Sequence, residues 1–267
     1  MKRYPLALIL CFAGAAAHAG VILETVSRNG EGQETAVTTT QIDKGMARVE
    51  KVQTGQTAAE SATIFKHDSL CILNHTKKTY IDVDRQSLQR ATGGVDSALK
   101  QVEGRLSTMS PEQRAMIEKM MGNKLSAGEK PGQLLPQLTR TIRTEHVGTY
   151  TCQVWEGQRD GVKVVEHCVV PYAQLSGGAQ LAEVLGKVAE LAEDLQSGFQ
   201  SQTLRTTLGN EFEGYKQLDG YPVLTRTFSD GKVQHERVLR SVRNSPVSAS
   251  SFEVPSGYSK QDLLKRG

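Results

Sequence analysis

Long apolar runs are missing from this chain. The longest, Leu6 to Ala17, falls short of the ~20 residues that a membrane-spanning helix needs, and no later segment reaches 18 consecutive apolar residues. A charge excess is missing too. Lys and Arg number 32 against 29 Asp and Glu. The first 19 residues carry two of the basic residues and no acid, so the remainder holds 30 against 29. Near-neutrality without a basic run argues against a nucleic-acid partner and against charge-driven attachment to anionic membranes. Catalytic signatures are equally scarce. There is no Gly-x-Ser-x-Gly elbow, no phosphate-cradling glycine loop and no His-Glu-x-x-His helix. No catalytic residue and no cofactor are expected, and the chain reads as a non-enzyme.

What is present begins with an address. Lys2 and Arg3 precede the apolar run, and Ala17-His18-Ala19 places small residues at the two positions a signal peptidase reads. Leu10 stands before Cys11 where a lipoprotein signal wants a small residue. The expectation is a signal peptide over 1–19, cleaved after Ala19, and a periplasmic chain over 20–267 forming a single β-rich domain.

Three cysteines then remain, Cys71, Cys152 and Cys168. An odd number in an oxidising compartment implies one unpaired thiol or an intermolecular bond. Asp160-Gly161 is a turn signal between the β-prone runs Thr149–Trp155 and Val162–Val170. A hairpin centred on residue 160 sets Cys152 opposite Cys168 on one face, which favours a disulfide between them. A register slip of one residue would part the two sulfurs.

The stretch from Val21 to Val83 reads as about six extended runs separated by turn clusters such as Asp43-Lys44-Gly45 and His67-Asp68-Ser69. Short connections imply antiparallel pairing, because parallel neighbours need long crossovers. Residues 85–105 carry apolar side chains at roughly helical spacing. Ser110, Pro111 and Gln113 then form a helix start, and Gly122 a stop, for a helix over 110–121. The strongest helix spans 179–197, with Leu181, Val184, Leu185, Val188, Leu191 and Leu195 as an apolar stripe. Strands return at Leu138–Val147, Glu211–Leu218, Val223–Phe228 and Val233–Val242, with Asp230-Gly231 as a second hairpin turn and a short final strand at Phe252 and Val254.

Two constellations are candidates for binding. Met116 and Met120 share a helix face and could offer thioethers to copper(I). The commoner use of Met116, Ile117, Met120 and Met121 is as adaptable apolar cover, for a core or over a greasy ligand. Cys71 and His75 lie four apart, but a turn does not aim both at one ion and no second pair completes four ligands; no metal site is expected there.

The run Ala62-Thr-Ile-Phe-Lys-His-Asp-Ser-Leu-Cys-Ile-Leu-Asn-His-Thr-Lys-Lys-Thr-Tyr80 resembles the strand-turn-strand of an uncharacterised bacterial periplasmic family, domain of unknown function 4412. The segment Met109 to Met121 resembles its helical insertion. Gly148 to Cys152, Gly220 to Val223 and Phe252 to Tyr258 are similar to its later hairpins and ending. Cys168 departs from that pattern, so the disulfide rests on the hairpin alone. The family is similar in architecture to the periplasmic lipoprotein carriers, in which helices lie across the mouth of a half-barrel. The resemblance implies an apolar cavity. The resulting expectation is an α+β fold: a strongly curved antiparallel sheet of about eleven strands, a half-barrel, with helices near 85–105, 110–121 and 179–197 across its open face. Its partner would be a hydrophobic, lipid-like ligand beneath a lid that includes Met116, Ile117, Met120, Met121, Leu181, Leu185 and Val188. The alternative is a protein-interaction or copper-binding role for the methionine helix.

Overall fold

The computed structural model describes residues 19–84, 86–87, 136–198 and 217–262. The leader up to residue 18, the expected helices near 85–105 and 110–121 with Met116, Ile117, Met120 and Met121, and the start of the expected strand Glu211–Leu218 lie outside the described residues.

Among the described residues, twelve strands form one open sheet. β1 (Gly20–Asn29), β2 (Glu34–Asp43), β3 (Met46–Gln53), β4 (Ser61–Lys66), β5 (Ser69–Asn74) and β6 (Thr79–Val83) make one meander. β7 (Gln137–Val147), β8 (Tyr150–Arg159), β9 (Val162–Val170), β10 (Tyr221–Ser229) and β11 (Lys232–Ser245) make another, and β12 (Ser259–Lys260) closes the chain. The order across the sheet is β12-β6-β5-β4-β3-β2-β1-β11-β10-β9-β8-β7. Pairing of β1 with β11 therefore splices the two meanders through the middle of the sheet. Every neighbouring pair is antiparallel except β12 with β6.

The local reason is turn chemistry. Asp160-Gly161 and Asp230-Gly231 both hold positive φ at the two central positions, 51° with 76° and 52° with 73°. That is the backbone whose twist matches flanking antiparallel strands. These two-residue connections leave no length for crossovers, so β9 folds back on β8 and β11 on β10.

The α+β expectation is corrected. The protein is mainly β: the sheet is mixed rather than wholly antiparallel, it does not close, and among the described residues it carries one α-helix, α1 (Gly178–Gly198). Among the described residues a single helix, not several, lies on the sheet. The final strand is also displaced. Residues 249–252 form a 3-10 turn, and the last strand is Ser259–Lys260.

α1 lies on one sheet face. Leu181, Val184, Val188 and Leu191, spaced three or four residues apart, are all buried against Val21, Ile42, Phe65 and Leu70. This is the geometry that an apolar helical stripe requires. Just before the helix, Gly177 has φ +68°, and an added Cβ would fall 2.1 Å from a Val21 methyl. Only glycine lets the chain turn into α1 this close to β1. The opposite face of β4 and β5 is covered by the C-terminal segment, where Phe252 packs with Ala62, Ile64 and Leu73.

The Cys152–Cys168 disulfide is present, with Cα atoms 5.2 Å apart. The two residues are diagonal rather than directly opposite. Arg159 faces Val162 at the turn, a shift at Gly157/Gln158 follows, and Cys168 then faces Val154. Without that bulge the two-residue turn would put the sulfurs on opposite faces. Replacing both cysteines by alanine is expected to lower unfolding free energy by about 3 kcal/mol, the chain-entropy value for a loop of this size, measured as the shift in a urea transition.

Candidate functional site

Strand register builds a floor under α1 in rows. The first row runs Val21, Ile42, Ala47, Phe65, Leu70, Val83, each opposite the next on the adjoining strand. All six are buried. The second row runs Leu23, Thr40, Val49, Thr63 and Ile72, and the third pairs Thr25 with Thr38. The second and third rows bring threonines to this face, where the first row has none. A space beside the helix is lined by residues of all three rows.

That space is a cleft of about 90 Å³, partly open to solvent. A single water needs roughly 10–15 Å³ measured this way, so several waters or a short hydrocarbon segment would fit. Leu181, Val184, Leu185 and Val188 form the helix wall, and the strand wall includes Leu23, Ile42, Val49 and Phe65. The polar groups in the lining are four threonine hydroxyls, from Thr25, Thr38, Thr40 and Thr63, together with Tyr221 and Arg237. An apolar cleft with a few polar groups is the common form of a small-molecule site.

Arg237 leads to a half-buried polar corner. It pairs in register with Thr225, which pairs with His167. His167 Nδ1 lies 3.0 Å from Thr225 Oγ1. Burial, then the nearby Arg237 guanidinium, pull the His167 imidazole down from the usual 6.5 to about 4. The folded protein thus keeps this ring neutral at pH values where the unfolded chain protonates it. Its contribution to stability is complete above pH 6.5 and declines as pH falls toward 4. A His167→Gln variant is expected to lose that part of the acid sensitivity, seen as a flatter unfolding free energy between pH 6.5 and 4.

A second polar cluster ties β7 to β11. Arg226 donates to Glu145 and Glu166, both at 2.9 Å, and to Glu236 at 3.1 Å. Arg143 donates to Glu166 and to Glu156, and Lys163 donates to Glu166 at 2.9 Å. Every one of these carboxylates already has a cationic partner, so the arrangement cross-links strands and leaves no carboxylate of the cluster poised as a general base.

Cys71 is the free thiol among the described residues. Burial, reinforced by the Asp82 carboxylate, pushes its thiol up to about 12. A thiol so rarely ionised is a poor nucleophile or metal ligand. No group of three or more His, Cys, Asp or Glu side chains among the described residues could hold a metal ion. No helix among them is long and apolar enough to cross a membrane.

No family model matches the chain, and no curated protein sequence does. Among solved structures, one similar fold is an uncharacterised conserved protein from Thermus thermophilus, at 7% identity and TM-score 0.44, covering 91% of this chain and 90% of that one. Another is a structure of PNGF-II, at 8% identity and TM-score 0.39, covering 92% of this chain and 31% of that one. Likeness this distant transfers nothing about activity. Neither the family resemblance nor the carrier architecture finds support in these comparisons.

Of the expected site residues, Leu181, Leu185 and Val188 line the cleft, and Cys152 and Cys168 are bonded. The threonine rows, Tyr221 and Arg237 were not anticipated. The run Thr38-Thr39-Thr40-Gln41 is polar on both faces of the strand, so it marks no ligand-facing side until the helix position is known.

Proposed function

We propose that this is an exported, non-enzymatic protein that binds a hydrophobic, lipid-like ligand in the cleft between α1 and the β1–β5 face. The observation that carries this reading is the cleft of about 90 Å³ that remains beside the seated helix, with apolar side chains of helix and sheet in its lining. Well-packed interiors seldom leave such a space. The threonine hydroxyls suit a ligand with an apolar body and one polar end. Export is supported by the charged start, the short apolar run and Ala17-His18-Ala19.

The test is to fill the space. Leu185 is half-buried on the helix wall, and Leu185→Trp should occupy the cleft without opening the core. Titration with a fluorescent fatty-acid probe is expected to show binding by the wild type and at least roughly tenfold weaker binding by the variant, with thermal stability little changed. Equal titration curves for the two proteins would place the probe elsewhere and remove the cleft as the site.

A further inference from the structure

The threonines of the cleft floor stand out by what their hydroxyls do not bond. Elsewhere in the sheet Thr35 and Thr141 donate to backbone carbonyls, and Thr225 pairs with His167. Thr25, Thr38, Thr40 and Thr63 have no such partner among the described residues, and all four border the cleft. Thr25 is the sharpest case. It is 9% exposed, and a hydroxyl buried to that degree is nearly always hydrogen-bonded. Its oxygen is not one of those sealed in without a partner, so it remains open to whatever occupies the cleft.

The four are also arranged. Thr25 faces Thr38 directly across the β1–β2 ladder, and side chains so paired have Cβ atoms about 5 Å apart. Thr38 and Thr40 stand two residues apart on β2 and so share a face. Thr63 is reached from Thr40 through Val49. The floor thus passes from an apolar first row, through a mixed second, to a third of threonine alone. Charge is not provided in the same way. The described lining holds no acid and one cation, Arg237, which has interactions of its own. An ionised head would exchange its water for neutral hydroxyls, at high cost. A hydroxyl or ester head loses less, and threonine can donate to it or accept from it.

We propose that Thr25, Thr38 and Thr40 form a headgroup subsite for an uncharged lipid, one whose head carries a hydroxyl or an ester. Its alkyl chain then points toward Ile42 and Phe65 of the first row and lies along the helix wall. This rests on the ligand-binding reading of the cleft and adds to it the chemistry and the direction of the guest.

Calorimetric titration at neutral pH with octanol, octyl chloride and octanoate tests it, on the wild type and on a Thr38→Val, Thr40→Val double variant. Valine keeps the β-branched shape and removes the two hydroxyls. The double variant is expected to bind octanol roughly tenfold more weakly than the wild type does, and octyl chloride no more weakly. On the wild type, octanoate should bind at least roughly tenfold more weakly than octanol. An equal change for the alcohol and the chloride would reduce the threonines to shape alone. Octanoate binding as tightly as octanol would show that a charged head is accommodated. Either result overturns the subsite and leaves the cleft as a ligand site. Octanol that the wild type does not bind, or that Leu185→Trp binds equally well, removes the cleft reading and the subsite with it. If the valine variant fails to fold, the wild-type comparison of octanol with octanoate decides.

Discussion

Phe252→Ala is expected to destabilise the protein by about 3–5 kcal/mol, the range for truncating a fully buried phenylalanine. Phe252 is 2% exposed and heads the fully buried side chains by size. It fills a pocket made by Ala62, Ile64 and Leu73 on the sheet face opposite α1. Polar attachments of its segment are few. Arg48 Nη1 donates to the Ser251 carbonyl at 2.9 Å, Tyr258 Oη lies 2.7 Å from His75 Nδ1, and Lys260 bridges to Asp82 at 2.9 Å. The last is exposed and contributes little. Loss of the phenylalanine should therefore release residues 246–262 as a unit. Cys71 packs beside the same cluster, which gives a direct readout. Its thiol, held at about 12 by burial and then by Asp82, should react slowly with a disulfide reagent in the wild type and far faster in the variant. Unchanged labelling would mean that the segment does not shield that face.

Glu166→Ala is the second large effect, expected at about 3–5 kcal/mol at neutral pH, as for breaking a buried charge cluster from one side. The Glu166 side chain is 6% exposed and accepts from Arg143, Lys163 and Arg226. Burial pushes its carboxyl up, but the hydrogen bonds from the three cations outweigh it and bring the group from 4.5 down to about 2. With the folded value depressed, the contribution is present above pH 4.5 and is lost as pH falls through about 2. Chemical denaturation across pH 7 to 2 checks the sign. The wild type should weaken steeply below pH 4.5, and Glu166→Ala, less stable at pH 7, should converge on it near pH 2. A constant gap between the two curves would assign the loss to packing instead of charge.

Much of the sheet was legible because its signals are local. Asp160-Gly161, Asp230-Gly231 and alternating β-branched runs specify hairpins without reference to the rest of the chain. The stripe from Leu181 to Leu191 specified α1 for the same reason. Long-range facts were not legible. Nothing in Gly20–Asn29 says that its second neighbour is Lys232–Ser245, and nothing near Phe252 says that its segment crosses to the far face and adds a parallel strand beside Thr79–Tyr80. The disulfide was foreseen with a direct register, whereas a bulge at Gly157 makes it diagonal. The α+β reading weighed helical periodicity in a chain whose described part is a broad sheet with a single helix. At the site, the helix wall was readable and the threonine-lined floor was not, since which face of β2 looks at α1 is decided by packing.

A greasy guest in the space between α1 and the β1–β5 face is the claim on which the functional reading rests. Native mass spectrometry of the protein purified from the envelope of its own host tests it most directly. A bound species of lipid-like mass, lost on organic extraction and missing from Leu185→Trp, is the predicted result. A wild-type protein that arrives empty, and stays empty when offered long-chain fatty acids, would contradict it.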